Sequence, residues 1–156
     1  MSLESVRAFF AERAPEIAVI ELETSTATVA EAADGHGVAP GQIAKTLSIR
    51  VGDQVALVVT RGDARLDNKK AKAFFGGKVR MLDLAEVEAV TGHPVGGVCP
   101  FGLRTPVPVY CDVSLKAFDE VVPAAGSTHS SVRIAPSRMA ELTDAAWIDV
   151  CAVPAA

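Results

Sequence analysis

Residues 43–60 read Ile43-Ala44-Lys45-Thr46-Leu47-Ser48-Ile49-Arg50-Val51-Gly52-Asp53-Gln54-Val55-Ala56-Leu57-Val58-Val59-Thr60. Two β-rich runs, 43–51 and 54–60, stand on either side of Gly-Asp, a pair that favours the tight turn of a hairpin. The second run is nearly continuous apolar sequence. That predicts a strand in the middle of a sheet, covered on both faces. By the two-residue period of a strand, Lys45 shares a face with Ile43, Leu47 and Ile49. An inward lysine has to find a partner or a ligand, because an unpaired buried ammonium is costly. The alternative is an edge lysine that discourages aggregation.

Upstream of the hairpin, Ser2 is positioned to cap a helix carrying the apolar stripe Leu3, Val6, Phe9 and Phe10, which Pro15 breaks. Ile17 to Glu23 reads as a strand. Thr28-Val29-Ala30-Glu31 fits a capping box opening a second short helix, ended by Gly35 and Gly37. Downstream, Asp67 caps a helix through Lys69, Lys70, Lys72 and Phe74 as far as Gly76-Gly77, and Val79 to Met81 reads as a short strand. Asp83-Leu84-Ala85-Glu86 opens another helix, with Leu84, Val87 and Val90 as its buried stripe. Residues 92–108 hold four glycines and four prolines. This forbids a long helix and marks an ordered loop. Val107 to Cys111, Glu120 to Val122 and Ser131 to Ile134 read as strands, the last two flanking a turn at Gly126. Pro136 opens a helix through Met139 and Leu142, and Trp147 to Val150 closes the chain as a last strand. Interleaving this irregular predicts an α/β (α+β) class with a mixed sheet.

A chain of 156 residues with 49% apolar and 22% charged residues is the size and composition of one globular domain, taken as 1–156. Its apolar runs reach about five residues where a membrane span needs about 20, and the N-terminus lacks the basic-then-apolar pattern of a secretion signal. The expectation is a soluble, cytoplasmic protein with no membrane partner. The net charge of −4 disfavours a general nucleic-acid binder. It is unevenly spread: residues 61–80 carry seven basic and two acidic side chains, a local +5 against −9 elsewhere. Such a run is either a solvated helix face or a local dock for a phosphate backbone. Aromatic residues are too few for base-stacking recognition of a single strand. Cys99, Cys111 and Cys151, like His36, His93 and His129, are too scattered for a disulfide framework or a zinc site. No metal and no cofactor are expected.

No phosphate loop, dinucleotide turn, nucleophile elbow or His-Glu-x-x-His helix is present. The candidate chemistry lies elsewhere. In Gly92-His93-Pro94-Val95-Gly96-Gly97-Val98-Cys99-Pro100-Phe101-Gly102, glycines let main chain approach a ligand and prolines preorganise its N–H groups, as an oxyanion site requires. The alternative is a rigid turn between strands. Ala124-Ala125-Gly126-Ser127-Thr128-His129-Ser130-Ser131 offers small residues to line a pocket and a histidine that titrates near neutrality, or simply a turn.

The order of Ile43-Ala44-Lys45-Thr46-Leu47, Arg65-Leu66-Asp67, Thr91-Gly92, Gly97-Val98-Cys99-Pro100-Phe101-Gly102 and Ala125-Gly126-Ser127-Thr128-His129 resembles the YbaK/EbsC family of prolyl-tRNA synthetase-associated editing domains, over essentially the whole chain. The resemblance implies a mixed, barrel-like sheet with short helices around it. It also implies a metal-independent trans-editing deacylase acting at the acceptor end of an aminoacyl-tRNA. The reaction is hydrolysis of the ester of a small mischarged amino acid (Cys, Ala or similar), with tRNA(Pro) as the expected tRNA. Thr46 after the lysine resembles the Cys-directed branch, and His129 after the glycine turn resembles domains that remove Ala. By the same analogy Lys45, Gly97, Gly102 and His129 carry the reaction, and Thr46, Gly96, Pro100, Phe101, Gly126 and Ser127 form the pocket. Arg65, Lys69, Lys70 and Lys72 face tRNA, with a synthetase as a second candidate partner. An aminoacyl ester is already activated, so positioning and a few aimed donors suffice. Cys99 is not expected to act as a nucleophile. The competing reading is a catalytically silent module that binds tRNA or a synthetase.

Overall fold

The computed structural model describes residues 2–154. Its elements run in chain order as α1 (Ser2–Arg13), β1 (Ile20–Glu21), α2 (Val29–His36), β2 (Ile43–Val51), β3 (Gln54–Arg61), β4 (Arg65–Leu66), α3 (Asn68–Phe75), β5 (Val79–Met81), α4 (Leu84–Thr91), β6 (Val109–Asp112), β7 (Val122–Pro123), β8 (Ser130–Ser131), α5 (Pro136–Thr143), β9 (Ala146–Ile148) and β10 (Cys151–Ala152). Short 3-10 turns precede β2 and follow β6.

The hairpin forms as its sequence dictates. β2 and β3 pair antiparallel from Ala44↔Arg61 to Val51↔Gln54, closed by the two residues Gly52-Asp53. β3 lies at the centre of the main sheet, whose order is β5-β2-β3-β6-β9, with β7 added beside β2. The antiparallel pairs β2/β5 and β2/β3 coexist with the parallel pairs β2/β7, β3/β6 and β6/β9. The mixed sheet is the expected one, but its order has two ends and it does not close into a barrel. Val58, Val59 and Leu57 of β3 are wholly buried, each face covered by its own apolar cluster. Among the described residues no helix is long and apolar enough to cross a membrane.

The helix boundaries follow side-chain capping. Thr28, Asp67 and Asp83 accept from the N–H three residues on, at Glu31, Lys70 and Glu86, each cap stabilising its helix by about 1 kcal/mol. Gly37, with φ of 68°, ends α2, while Gly35 lies inside it. Ser2 belongs to α1 itself, and its hydroxyl serves another part of the chain. In α4 Val87 is buried but Leu84 is 68% exposed, because the side of the helix at its first turn opens onto a cleft rather than the core.

Strand lengths differ from the local pattern wherever the partner is short. The run 17–23 yields only β1, because its partner β8 offers two residues. The two strands expected around Gly126 shrink to β7 and β8, joined by single bridges Val121↔Ile134 and Ala124↔Ser131. The expected last strand ends at Ile148, and the chain goes on to β10, which pairs with β4.

Candidate functional site

Strand β2 is fully paired with β3 along one edge but not along the other. There β7 covers Ile43–Ala44 and β5 covers Ile49–Val51, leaving residues 45–48 with no strand beside them. Leu82 N–H reaches Ser48 O across part of this gap, at 3.0 Å. Main-chain groups alternate in direction along a strand, so the N–H and C=O of Thr46 face the same gap. A cleft of about 290 Å³ opens over it. Its walls include Lys45 and Thr46 of β2, Thr26 ahead of α2, Gly96 and Val98 of the glycine-rich loop, and Ser131 of β8. Met81, Leu84 and Val95, all at least half exposed, form an apolar rim.

Lys45 is half-buried, and its ammonium donates to Ala64 O at 2.6 Å. Burial is the main influence and pulls its pKa below the ordinary lysine value; Asp63 opposes that shift and Arg65 adds to it. Asp63 is itself held by a two-pronged ion pair with Arg61, at 2.6 and 2.9 Å. The ammonium thus keeps further N–H donors beyond the one spent on Ala64.

The glycine-rich loop is a partition. Gly96 faces the cleft, and Gly102 faces a second hollow of about 790 Å³, which Ser2, Ser5, Glu88, Arg104, Gly126 and Ser127 also line. Between them Cys99 and Phe101 are wholly buried. Phe101 packs against Phe10 and Phe9 of α1, with ring centroids 4.7 and 5.6 Å apart. Pro100 lies buried beside it and does not reach the cleft. Gly97 has to be glycine for a packing reason: a Cβ there would lie 2.6 Å from Ser127 N and 2.8 Å from Gly126 C. Its N–H is taken by Pro94 O and its C=O by Gly126 N–H. Gly102 and Gly126 press equally closely on the main chain of Ser5 and Ser2 in α1.

His93 ties these parts together, a role that its scattered position in the sequence did not signal. It is fully buried, with Nε2 2.7 Å from Phe101 O and Nδ1 2.5 Å from Ser2 Oγ. A carbonyl can only accept, so Nε2 carries a proton and donates it to Phe101 O. Ser2 Oγ also donates to Gly126 O at 2.5 Å, so this hydroxyl links the ring to the turn. Burial pulls the His93 pKa below its ordinary value, and the bond to Phe101 O only partly offsets this. Cys99 Sγ sits 3.5 Å from His93 Nε2, but burial pushes its thiol up to about 12, which leaves no thiolate to act as a nucleophile.

The remaining expected residues are dispersed. His129 is exposed, its ring bonded to Thr128 Oγ1 at 3.0 Å, and it does not line the cleft. Ser127 pairs with Ser130 through their hydroxyls at 2.6 Å. On α3, Lys69 and Lys72 are exposed, as is Arg65 before it, whereas Lys70 is engaged with Asp149 at 3.1 Å and with Cys151 O. Among the described residues no cluster of His, Cys, Asp and Glu is arranged to hold a metal ion.

The sequence matches the family model for the aminoacyl-tRNA editing domain over residues 23–142. The chain belongs to the aminoacyl-tRNA editing domain family. This editing domain is 52% identical to the uncharacterized protein YwhH of Bacillus subtilis, over 97% of this chain and 98% of YwhH. It is 33% identical to EbsC of Enterococcus faecalis, named as a candidate Cys-tRNA(Pro)/Cys-tRNA(Cys) deacylase, over 76% of this chain and 73% of EbsC. Its fold is similar to the crystal structure of a candidate trans-editing enzyme for prolyl tRNA synthetase, with a TM-score of 0.88, 35% identity and 96% of each chain covered. The matched span contains the cleft walls from Thr26 to Ser131, the lysine of β2 and the whole glycine-rich loop.

Proposed function

We propose that this editing domain is a trans-acting aminoacyl-tRNA deacylase that hydrolyses the ester of a small mischarged amino acid on tRNA, with tRNA(Pro) as the substrate tRNA. The observation that carries the proposal is the cleft over the open edge of β2, where Lys45, Thr46 and Gly96 meet around a space of about 290 Å³. That space suits a small acyl group. In the reaction water attacks the ester carbonyl carbon, the acyl–oxygen bond breaks, and the ribose oxygen leaves with a proton derived from that water. Lys45 supplies positive charge and spare N–H donors for the oxygen that gains charge or for the terminal phosphate. The main chain at Thr46 and Gly96 orients the acyl group. Gly97, Pro100, Phe101, Gly102, Gly126 and Ser127 frame this wall from behind, and His129 lies beside the turn that carries Ser131. Arg65, Lys69 and Lys72 meet the acceptor-end phosphates. Lys70 contributes less, because Asp149 already neutralises it.

A panel of tRNA(Pro) charged with Cys, Ala or Ser tests this reading. Hydrolysis above the uncatalysed rate that falls at least about tenfold in Lys45→Ala supports it. It fails if no ester turns over faster than without protein, or if Lys45→Ala matches the parent. Binding of the charged tRNA without turnover would point instead to a silent binding module.

A further inference from the structure

The turn Arg61-Gly62-Asp63-Ala64 follows the end of β3 and supplies none of the walls of the cleft. Arg61 is the last residue of β3 and stands opposite Ala44, so the turn leaves the sheet beside Lys45, whose own ladder partner is Thr60. Ala64 is wholly buried, and its carbonyl oxygen takes the bond from the Lys45 ammonium at 2.6 Å. Lys45 lines the cleft, so the place of this carbonyl sets the place of the charge that the cleft contains.

The turn is held from several sides. Ala64 N–H closes it on Arg61 O at 3.1 Å. Across it Arg61 grips Asp63 with both prongs, Nε at 2.6 Å and Nη2 at 2.9 Å. A bidentate guanidinium–carboxylate pair fixes orientation as well as distance. With side chains 19% and 30% exposed, this is the least exposed ion pair among the described residues, so water screens it less than the others. The guanidinium also lies over the Phe118 ring, 5.1 Å from its centroid. Gly62 is pressed against the chain ahead of β2, where an added Cβ would come within 2.2 Å of Pro40 O. The charge of Arg61 is thus used inside the protein, on Asp63 and Phe118, unlike the exposed charges of Arg65, Lys69 and Lys72.

We infer that the Arg61–Asp63 ion pair is a positioning device for Lys45, fixing Ala64 O so that one ammonium N–H is anchored and the others remain for the ester. The inference rests on the deacylase reading and deepens it. Neither Arg61 nor Asp63 lines the cleft, so both act through Lys45. A lysine side chain loses much rotamer freedom when it is fixed, and an anchored N–H completes that ordering before the substrate arrives. Without the anchor the ammonium still brings its charge to the cleft but no longer holds one direction. Attraction for the substrate persists while alignment in the transition state is lost, so kcat falls and KM changes little. Misplacing a reacting group by about 1 Å costs up to about a hundredfold in rate.

The experiment compares the parent with Asp63→Asn and Arg61→Met, folding being checked by circular dichroism. Arg61→Lys, which keeps the charge but not the fork, is the milder variant should either of these fail to fold. In one arm the protein carries lysine isotope-labelled at Cε, and the Lys45 NMR signal is assigned by its loss in Lys45→Arg. The parent is expected to show two resolved Cε proton signals, as an ammonium held in one direction gives. They merge into one in the variants, as in the exposed Lys69 and Lys72. The other arm measures kcat and KM on the tRNA(Pro) ester that the parent hydrolyses fastest. There kcat falls about tenfold or more, with KM within about twofold of the parent. A single Lys45 signal in the parent, or two resolved signals in every folded variant, overturns the positioning role and leaves the deacylase standing. So does a kcat within about threefold of the parent in those variants while Lys45→Ala has lost activity. If the parent hydrolyses no ester, the deacylase reading falls and takes this one with it.

Discussion

Strand β2 and the glycine-rich loop face each other across the cleft and are built in opposite ways. In β2 the ladder to β3 holds one edge of the main chain, and the other edge, open at residues 45–48, presents the Thr46 main chain and the residues Lys45 and Thr46 to a ligand. In the loop the side chains hold the main chain. His93 bonds Phe101 O, Thr91 Oγ1 receives the His93 N–H, and Phe101 fills the core beside α1. A strand of this kind offers chemistry on a ready-made frame. A loop has to spend its side chains on becoming a frame, and contributes main chain at a few points such as Gly96.

The comparison can be broken most forcefully at Phe101. If the loop's side chains are structural, Phe101→Ala costs about 3–5 kcal/mol of folding free energy, read from urea unfolding. A stable variant that had lost only activity would contradict the contrast. Next comes Gly97→Ala, whose new methyl meets the main chain of Gly126 and Ser127 and cannot be accommodated by side-chain rotation. We expect a loss of about 2–3 kcal/mol by overpacking, measured in the same way.

The third prediction concerns pH. Burial holds His93 below its ordinary value of 6.5, so the unfolded chain binds that proton first as pH falls. Stability is therefore full above that value and declines as pH drops toward the folded-state pKa, at most by about 1.4 kcal/mol per pH unit. His36 is also lowered, by burial and then by Arg133, and contributes a slope of the same sign. The difference between the parent and His93→Gln, measured as urea midpoints from about pH 7.5 to about pH 5.5, isolates the loop's share. An identical slope in both proteins would remove His93 from the account. An effect of similar size is expected at the hairpin turn. Gly52 has φ of 60° but open space around it, so Gly52→Ala pays only for the backbone, about 1–2 kcal/mol.

The local sequence carried the hairpin, the caps at Thr28, Asp67 and Asp83, and the central place of β3, because each depends on residues within a few positions of one another. It flagged Lys45 by the conflict between its charge and its strand. It also flagged the loop by its glycines and prolines, but could not say what those glycines approach, since Ser2, Ser5 and Ser127 are distant in the chain. Thr26 gave no signal: a threonine two residues before a capping box looks like any loop residue. Only the packing of α1, the loop and the Gly126 turn reveals the buried pairing of His93 with Ser2.

What the sequence determined by itself is the class of the fold, the β2–β3 axis and the family, all of which follow from local pattern and ordered motifs. What the tertiary structure alone decided is which residues share a cavity. The interruption of β2's second edge between β7 and β5 is a matter of long-range strand pairing. That unfilled stretch of edge, rather than any one motif, creates the cleft.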